Sequence, residues 1–140
     1  MEIDLAFLAD AATVDVAGKL NILGVFDRIS VTEFPAPHPH VSLVLRFSAS
    51  LGEAGKHQVQ IVLKDPDGKE MMRLNGDLQV GPGPAMAGGQ VRVPQVLNID
   101  RLVFPKSGQY VFEVAVDGLH QVGVPLFVHG IGGGRPPAQA

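Results

Sequence analysis

Val41-Ser42-Leu43-Val44-Leu45-Arg46-Phe47-Ser48 places Val41, Leu43, Leu45 and Phe47 at every second position. Successive side chains of a strand point to opposite faces, so this spacing predicts a half-buried strand with those residues inward. After Gly52-Glu53-Ala54-Gly55, the run Gln58 to Lys64 repeats the pattern with Val59, Ile61 and Leu63 inward. Asp65-Pro66-Asp67-Gly68 follows as a tight turn. Proline presets φ, aspartate bonds its own backbone, and glycine accepts φ > 0. Met72, Leu74, Leu78 and Val80 carry the return strand. Further on, Tyr110 to Val116 alternates again, Asp117-Gly118 turns the chain, and Val122 to Val128 runs back. Pro125 cannot donate to a ladder, which predicts an edge strand there.

Upstream, Ile3 to Ala9 and Leu20 to Val25 read as two strands. The intervening Asp10 to Gly18 is open to two conformations. Its alanines favour a short helix, whereas Thr13, Val14 and Val16 resist one. Phe34-Pro35-Ala36-Pro37-His38-Pro39-His40 has prolines at alternating positions, an extended connector suited to a crossing between sheets. Val91 to Ile99 and Leu102 to Phe104 add strand material. The expectation is all-β: a single-domain antiparallel β-sandwich of about eight short strands over residues 1–130. Residues 131–140 are expected to form a flexible Gly/Pro-rich tail, and Gly81 to Gln90 a mobile loop.

Composition narrows the function classes. In 140 residues, 11 Lys+Arg stand against 14 Asp+Glu, a net charge of −3. There is no basic surplus to neutralise a phosphate backbone, and 1 Tyr with 0 Trp leaves few rings for stacking bases. A chain with 0 Cys has no disulfide, thiol nucleophile, cysteine-held zinc or iron–sulfur cluster. No apolar run reaches the ~20 residues of a membrane span, and Glu2 and Asp4 replace the basic start of a signal peptide. The expectation is a cytoplasmic protein with no nucleic-acid partner, no membrane partner and no cofactor.

Ser107-Gly108-Gln109-Tyr110-Val111-Phe112 resembles the tyrosine-corner strand of immunoglobulin-like sandwiches, in which the tyrosine hydroxyl bonds backbone at a sheet corner. That resemblance implies an inward Phe112 where antibody domains carry cysteine. Several segments together resemble a bacterial family of short proteins of unknown function. They are Asp4 to Ala12, Gly18-Lys19-Leu20-Asn21-Ile22-Leu23-Gly24-Val25-Phe26-Asp27-Arg28, Phe34 to Pro39, Phe104 to Tyr110, and Val116-Asp117-Gly118. The likeness runs from about Ile3 to Val128 and implies no catalytic residue, cofactor or partner.

Candidate sites are few. His38 and His40 would share one side of an extended chain and offer two metal ligands, with His57, His120 and His129 as further ligands if the fold gathers them. Asp65-Pro66-Asp67-Gly68 lacks the spaced acids of a calcium loop. Neither Gly81-Pro82-Gly83-Pro84 nor Gly132-Gly133-Gly134 has the Lys and Ser/Thr of a phosphate loop, and no serine sits in a Gly-x-Ser-x-Gly frame. Val44, Val62 and Val111 fall on the outward phase of their strands. If Val41 to Lys64 forms a hairpin, Val44 opposes Val62, and Val111 extends an apolar patch if it joins the same sheet. The expected function is a non-catalytic module that binds a protein partner or itself as a homo-oligomer. The alternatives are a small enzyme with a loop-end pocket and a metal-binding protein working through His38 and His40. An enzyme would need a deep polar pocket with at least two convergent titratable groups.

Overall fold

The computed structural model describes residues 1–81 and 89–131. The chain folds into two packed β-sheets. The strands are β1 (Glu2–Val14), β2 (Leu20–Phe26), β3 (Arg28–Val31), β4 (Ala36–Ser50), β5 (Gly55–Lys64), β6 (Glu70–Val80), β7 (Gln90–Phe104), β8 (Gly108–Val116) and β9 (Leu119–Gly130). One sheet has the order β2-β1-β4-β7 and the other β3-β9-β8-β5-β6. Among the described residues the only helical element is a 3-10 turn at Leu51–Glu53, and no helix is long and apolar enough to cross a membrane.

The alternation in β4 and β5 works as expected. Val41, Leu43, Leu45, Phe47 and Leu63 are fully buried, Ile61 nearly so, and Val59 half-buried. The Asp65 turn also forms as read. Asp65 Oδ1 accepts from Asp67 N and Lys69 N at 2.9 and 2.8 Å, and Gly68 takes φ 84°. Asp117 and Gly118 both have positive φ, 51° and 82°, the requirement of a type I′ hairpin turn.

Nine strands form among the described residues, in keeping with the expected eight or so, and they run to 15 residues, longer than expected. Two expectations are corrected, and one open reading is settled. Pairing is not wholly antiparallel: β3 lies parallel to β9, set there by Phe127 N donating to Asp27 O at 2.8 Å. The segment left open between two conformations takes the extended one: Asp10 to Val14 continues β1, and Asp15 to Gly18 makes the turn into β2. The proline-rich segment crosses between sheets only up to Pro35. From Ala36 it is already strand, paired with the end of β7.

Pro125 is a partial success. Its strand β9 lies inside the sheet, but β3 covers it only from Phe127 to Gly130. Phe127 N points to β3, and Pro125 has the same parity. The missing donor of Pro125 therefore faces a stretch that β3 leaves open, and no ladder bond is lost. Ile131 N still bonds Val31 O at 2.8 Å. The expected tail at residues 132–140, and most of the expected loop, at 82–88, lie outside the described residues.

Tyr110 forms the expected corner. Its hydroxyl donates to Lys106 O at 2.7 Å and accepts from Lys106 N at 3.3 Å, while its ring meets Phe104 edge-on at 4.9 Å. Tyr110→Phe removes this part-buried hydrogen bond to the Lys106 carbonyl and should cost about 0.5–1.5 kcal/mol, read as a lower denaturation midpoint.

The β1–β2 hairpin adds a partial third layer. Ala9 is the last residue of β1 paired with β4, and Gly24 at φ 74° bends the hairpin against the Asp10 side chain. Beyond that bend, Ala12, Leu20 and Ile22 pack on Val44, Phe7 and Val96 of the outer sheet face.

Candidate functional site

The sandwich leaves four places where chemistry could gather. The first is the pair His38 and His40. His38 lies beside the Phe26 ring, 6.2 Å between centroids, and burial lowers its pKa. His40 is held elsewhere: Nδ1 meets Asp100 Oδ1 at 2.7 Å and Nε2 meets Ser42 Oγ at 3.2 Å. Both nitrogens of His40 are therefore occupied. Among the described residues no three metal-ligating side chains come together. The other histidines are separately engaged: His57 by Asp117, His120 by Glu113 and His129 by Ser30.

Asp100, His40 and Ser42 stand in the order of a serine-hydrolase relay, with Asn98 Oδ1 accepting from Ser42 Oγ at 2.8 Å. Sequence reading missed this constellation, because Asp100 comes from β7 and the other two from β4. The one available signal was that His40 and Ser42 are two apart on one strand. The relay lacks access: Ser42 has no exposed surface, and its hydroxyl is committed to Asn98. A nucleophile must reach a substrate carbonyl, so we read this group as a satisfied polar tie between β4 and β7.

The crevice between the sheets, 180 Å³ in volume, is lined mainly by apolar residues such as Leu45, Phe47, Ile61 and Leu97. Its only titratable side chain is Asp77, already bonded by Gln58 at 2.8 Å. It does not supply the convergent pair that an enzyme needs.

The loop end carries an ionic lock. His57 Nδ1 meets Asp117 Oδ2 and its Nε2 meets Glu53 O, both at 2.6 Å. Both partners are acceptors, so the site suits the protonated ring, whose two nitrogens both donate. Asp117 first, then the Glu53 carbonyl, raises the His57 pKa above its ordinary 6.5, while His57 lowers Asp117 below its ordinary 3.8. A raised imidazole pKa gives stability that is complete below 6.5 and fades as pH rises through the raised value. The lowered carboxyl gives stability present above 3.8 and lost on acidification. The lock should therefore be strongest between those two values. Denaturation midpoints measured against pH should fall on the alkaline side, and His57→Gln should flatten that fall.

The expected valine patch does not form. The chain crosses the sandwich after β4, so β4 and β5 lie in opposite sheets. Leu45 and Ile61 meet across the core rather than side by side. Val44 pairs with Phe7 and Val96 and is fully buried under the hairpin. Val62 stands between Arg73 and Glu113, only 7% exposed. Long charged side chains cover apolar neighbours in this way. Val111 is half-buried opposite Lys64 and Pro125.

Exposed apolar surface is found instead on the hairpin. Val16 projects wholly into solvent at its tip, and Leu23 and Val25 on β2 are 72% and 62% exposed. β2 is an outer strand of its sheet, and Leu20 to Phe26 contains no charge and no proline. The same hairpin borders a groove on the outer face of the four-stranded sheet. There Asp4 lies between Arg46, at 2.9 and 3.2 Å, and Arg92, at 2.9 Å. Hydrogen bonds from Arg46, then Arg92, hold the Asp4 carboxyl below the ordinary carboxylate range.

These features define a small two-sheet β-sandwich in which Val14, Val16, Leu23 and Val25, half of the exposed large hydrophobics among the described residues, lie on a bent hairpin. The chain belongs to a family of unknown function (DUF6941), whose model matches residues 4–129. No curated protein and no solved structure gives a significant match.

Proposed function

We propose that the chain is a non-catalytic protein-binding module of immunoglobulin-like build, working in the cytoplasm and covered at its β1–β2 hairpin by a partner protein or a second copy. The observation that carries this reading is the β2 edge: Leu23 and Val25 are 72% and 62% exposed on an outer strand without charge or proline. Natural edge strands are ordinarily blunted by such residues, and an unblunted edge is a template for another chain. Of the other three outer strands, β6 carries Glu70, Arg73 and Asp77, β7 carries Arg92, Pro94, Asp100 and Arg101, and the short β3 carries Arg28. Two further features support the immunoglobulin-like part. One is the Tyr110 corner before a buried Phe112. The other is the order β9-β8-β5-β6 against β1-β4-β7, which parallels the two sheets of that architecture.

Hydrogen exchange tests the reading. The outward amides of Leu20 to Phe26 should become protected either in the concentrated purified protein or on addition of native-host extract. Unchanged exchange in both settings would refute it. The runner-up is an enzyme using Asp100, His40 and Ser42, favoured by their spacing and opposed by the burial of Ser42. A fluorophosphonate probe should leave Ser42 unlabelled, and stoichiometric labelling abolished by Ser42→Ala would reverse the order of the two readings.

A further inference from the structure

The folded-back hairpin tip and the outer sheet face form an open groove of 480 Å³. Leu5 and Pro94 line it from the sheet, and Leu20 and Ile22 from the hairpin. Lys19, Arg46 and Arg92 also line it, and no acidic side chain does. Asp4, between the two guanidiniums, offsets one of these three positive charges. Arg46 spends Nε and Nη2 on Asp4, whereas Arg92 spends only Nε and is 55% exposed. Lys19 makes no ion pair among the described residues, unlike Lys56 and Lys106. A local surplus of positive charge therefore sits on an apolar bed in a protein of net charge −3.

We propose that this groove binds an acidic peptide segment, with a carboxylate taken by Arg92 and Lys19 and the flanking apolar side chains laid against Leu5, Leu20, Ile22 and Pro94. The proposal rests on the reading of the chain as a protein-binding module and adds the chemistry of the partner. A guanidinium fork matches a carboxylate with two parallel hydrogen bonds, and the ammonium adds a mobile second donor. The cations stand at an open groove rather than in a closed cavity, so the ligand can run through it as an extended chain. The volume lies within the range of ordinary ligand sites. The bend at Gly24 makes the site: without it, Lys19 and Leu20 would stand away from the sheet.

The probe is a displayed library of random heptapeptides, panned on the full chain. Enriched peptides should carry Asp or Glu between apolar residues, and replacing that acid by its amide should abolish enrichment. The enriched peptides should bind a Lys19→Gln, Arg92→Gln variant about tenfold or more weakly, since two charge-assisted contacts are lost. Binding to the wild type should weaken steadily with added sodium chloride, a readout that holds even if the variant folds poorly. Enrichment of acid-free peptides, equal affinity for the variant, or no enrichment would overturn the groove. Protection of the β2 amides by extract in the absence of acidic-peptide binding would still leave the module reading standing.

Discussion

Phe112→Ala is expected to lower the stability of the folded chain by about 3–5 kcal/mol, the usual cost of removing an aromatic ring from a packed core. Phe112 has no exposed surface. It sits in the middle of the five-stranded sheet, opposite Leu63 of β5 and Val124 of β9, both core residues. A ring between two such neighbours leaves a cavity that rigid strands cannot close. Gln60 provides the control. It lies on the solvent face of β5, where its side chain donates to Asn75 Oδ1 at 3.1 Å. Gln60→Ala should stay within about 0.5 kcal/mol. The two variants are compared by urea denaturation, and similar midpoint shifts would refute the assignment of faces in the sheet.

Val44→Lys is the second large effect, and it tests the hairpin layer. By strand parity Val44 points away from the main core, so an ammonium there would stand in water and cost little. In the folded chain Val44 is fully buried between Phe7 and Val96, beneath Ala12, Leu20 and Ile22. A lysine at this position either buries an unpaired charge or lifts the hairpin off the sheet. The expected loss is roughly 3–5 kcal/mol, the range for an uncompensated buried charge. Val16→Lys, at the exposed tip of the same hairpin, should fall within about 0.5 kcal/mol. Denaturation together with hydrogen exchange of Ala11 to Leu23 reads both variants. A Val44→Lys protein as stable as the wild type would mean that the hairpin does not cover the sheet.

The relation between sequence and structure differs from place to place in the chain. Local rules succeeded where one residue's geometry suffices. The Asp65 turn, the Asp117-Gly118 turn and the Tyr110 corner each depend on side chains and backbone within a few residues. The faces of β4, β5 and β8 were legible for the same reason, since a period of two is set by the strand itself. Partners were not legible. Alternation says which way Leu45 and Ile61 point, and both a hairpin and a crossing between sheets satisfy it. The short Leu51–Glu53 turn leads β5 into the opposite sheet, which separated Val44 from Val62 and removed the expected patch.

The candidate sites divide along the same line. The amino-acid sequence alone determined the all-β class, the inward residues, the turns and the absence of cysteine chemistry, because these depend on composition and on spacings of a few residues. The tertiary structure alone decided that His40 meets Asp100 across 60 residues, that Arg46 and Arg92 share Asp4, and that the hairpin covers Val44 and exposes Leu23. Each of those contacts joins strands remote in the chain. Which strands become neighbours is settled by the burial of the whole apolar set at once, and no single segment carries that information.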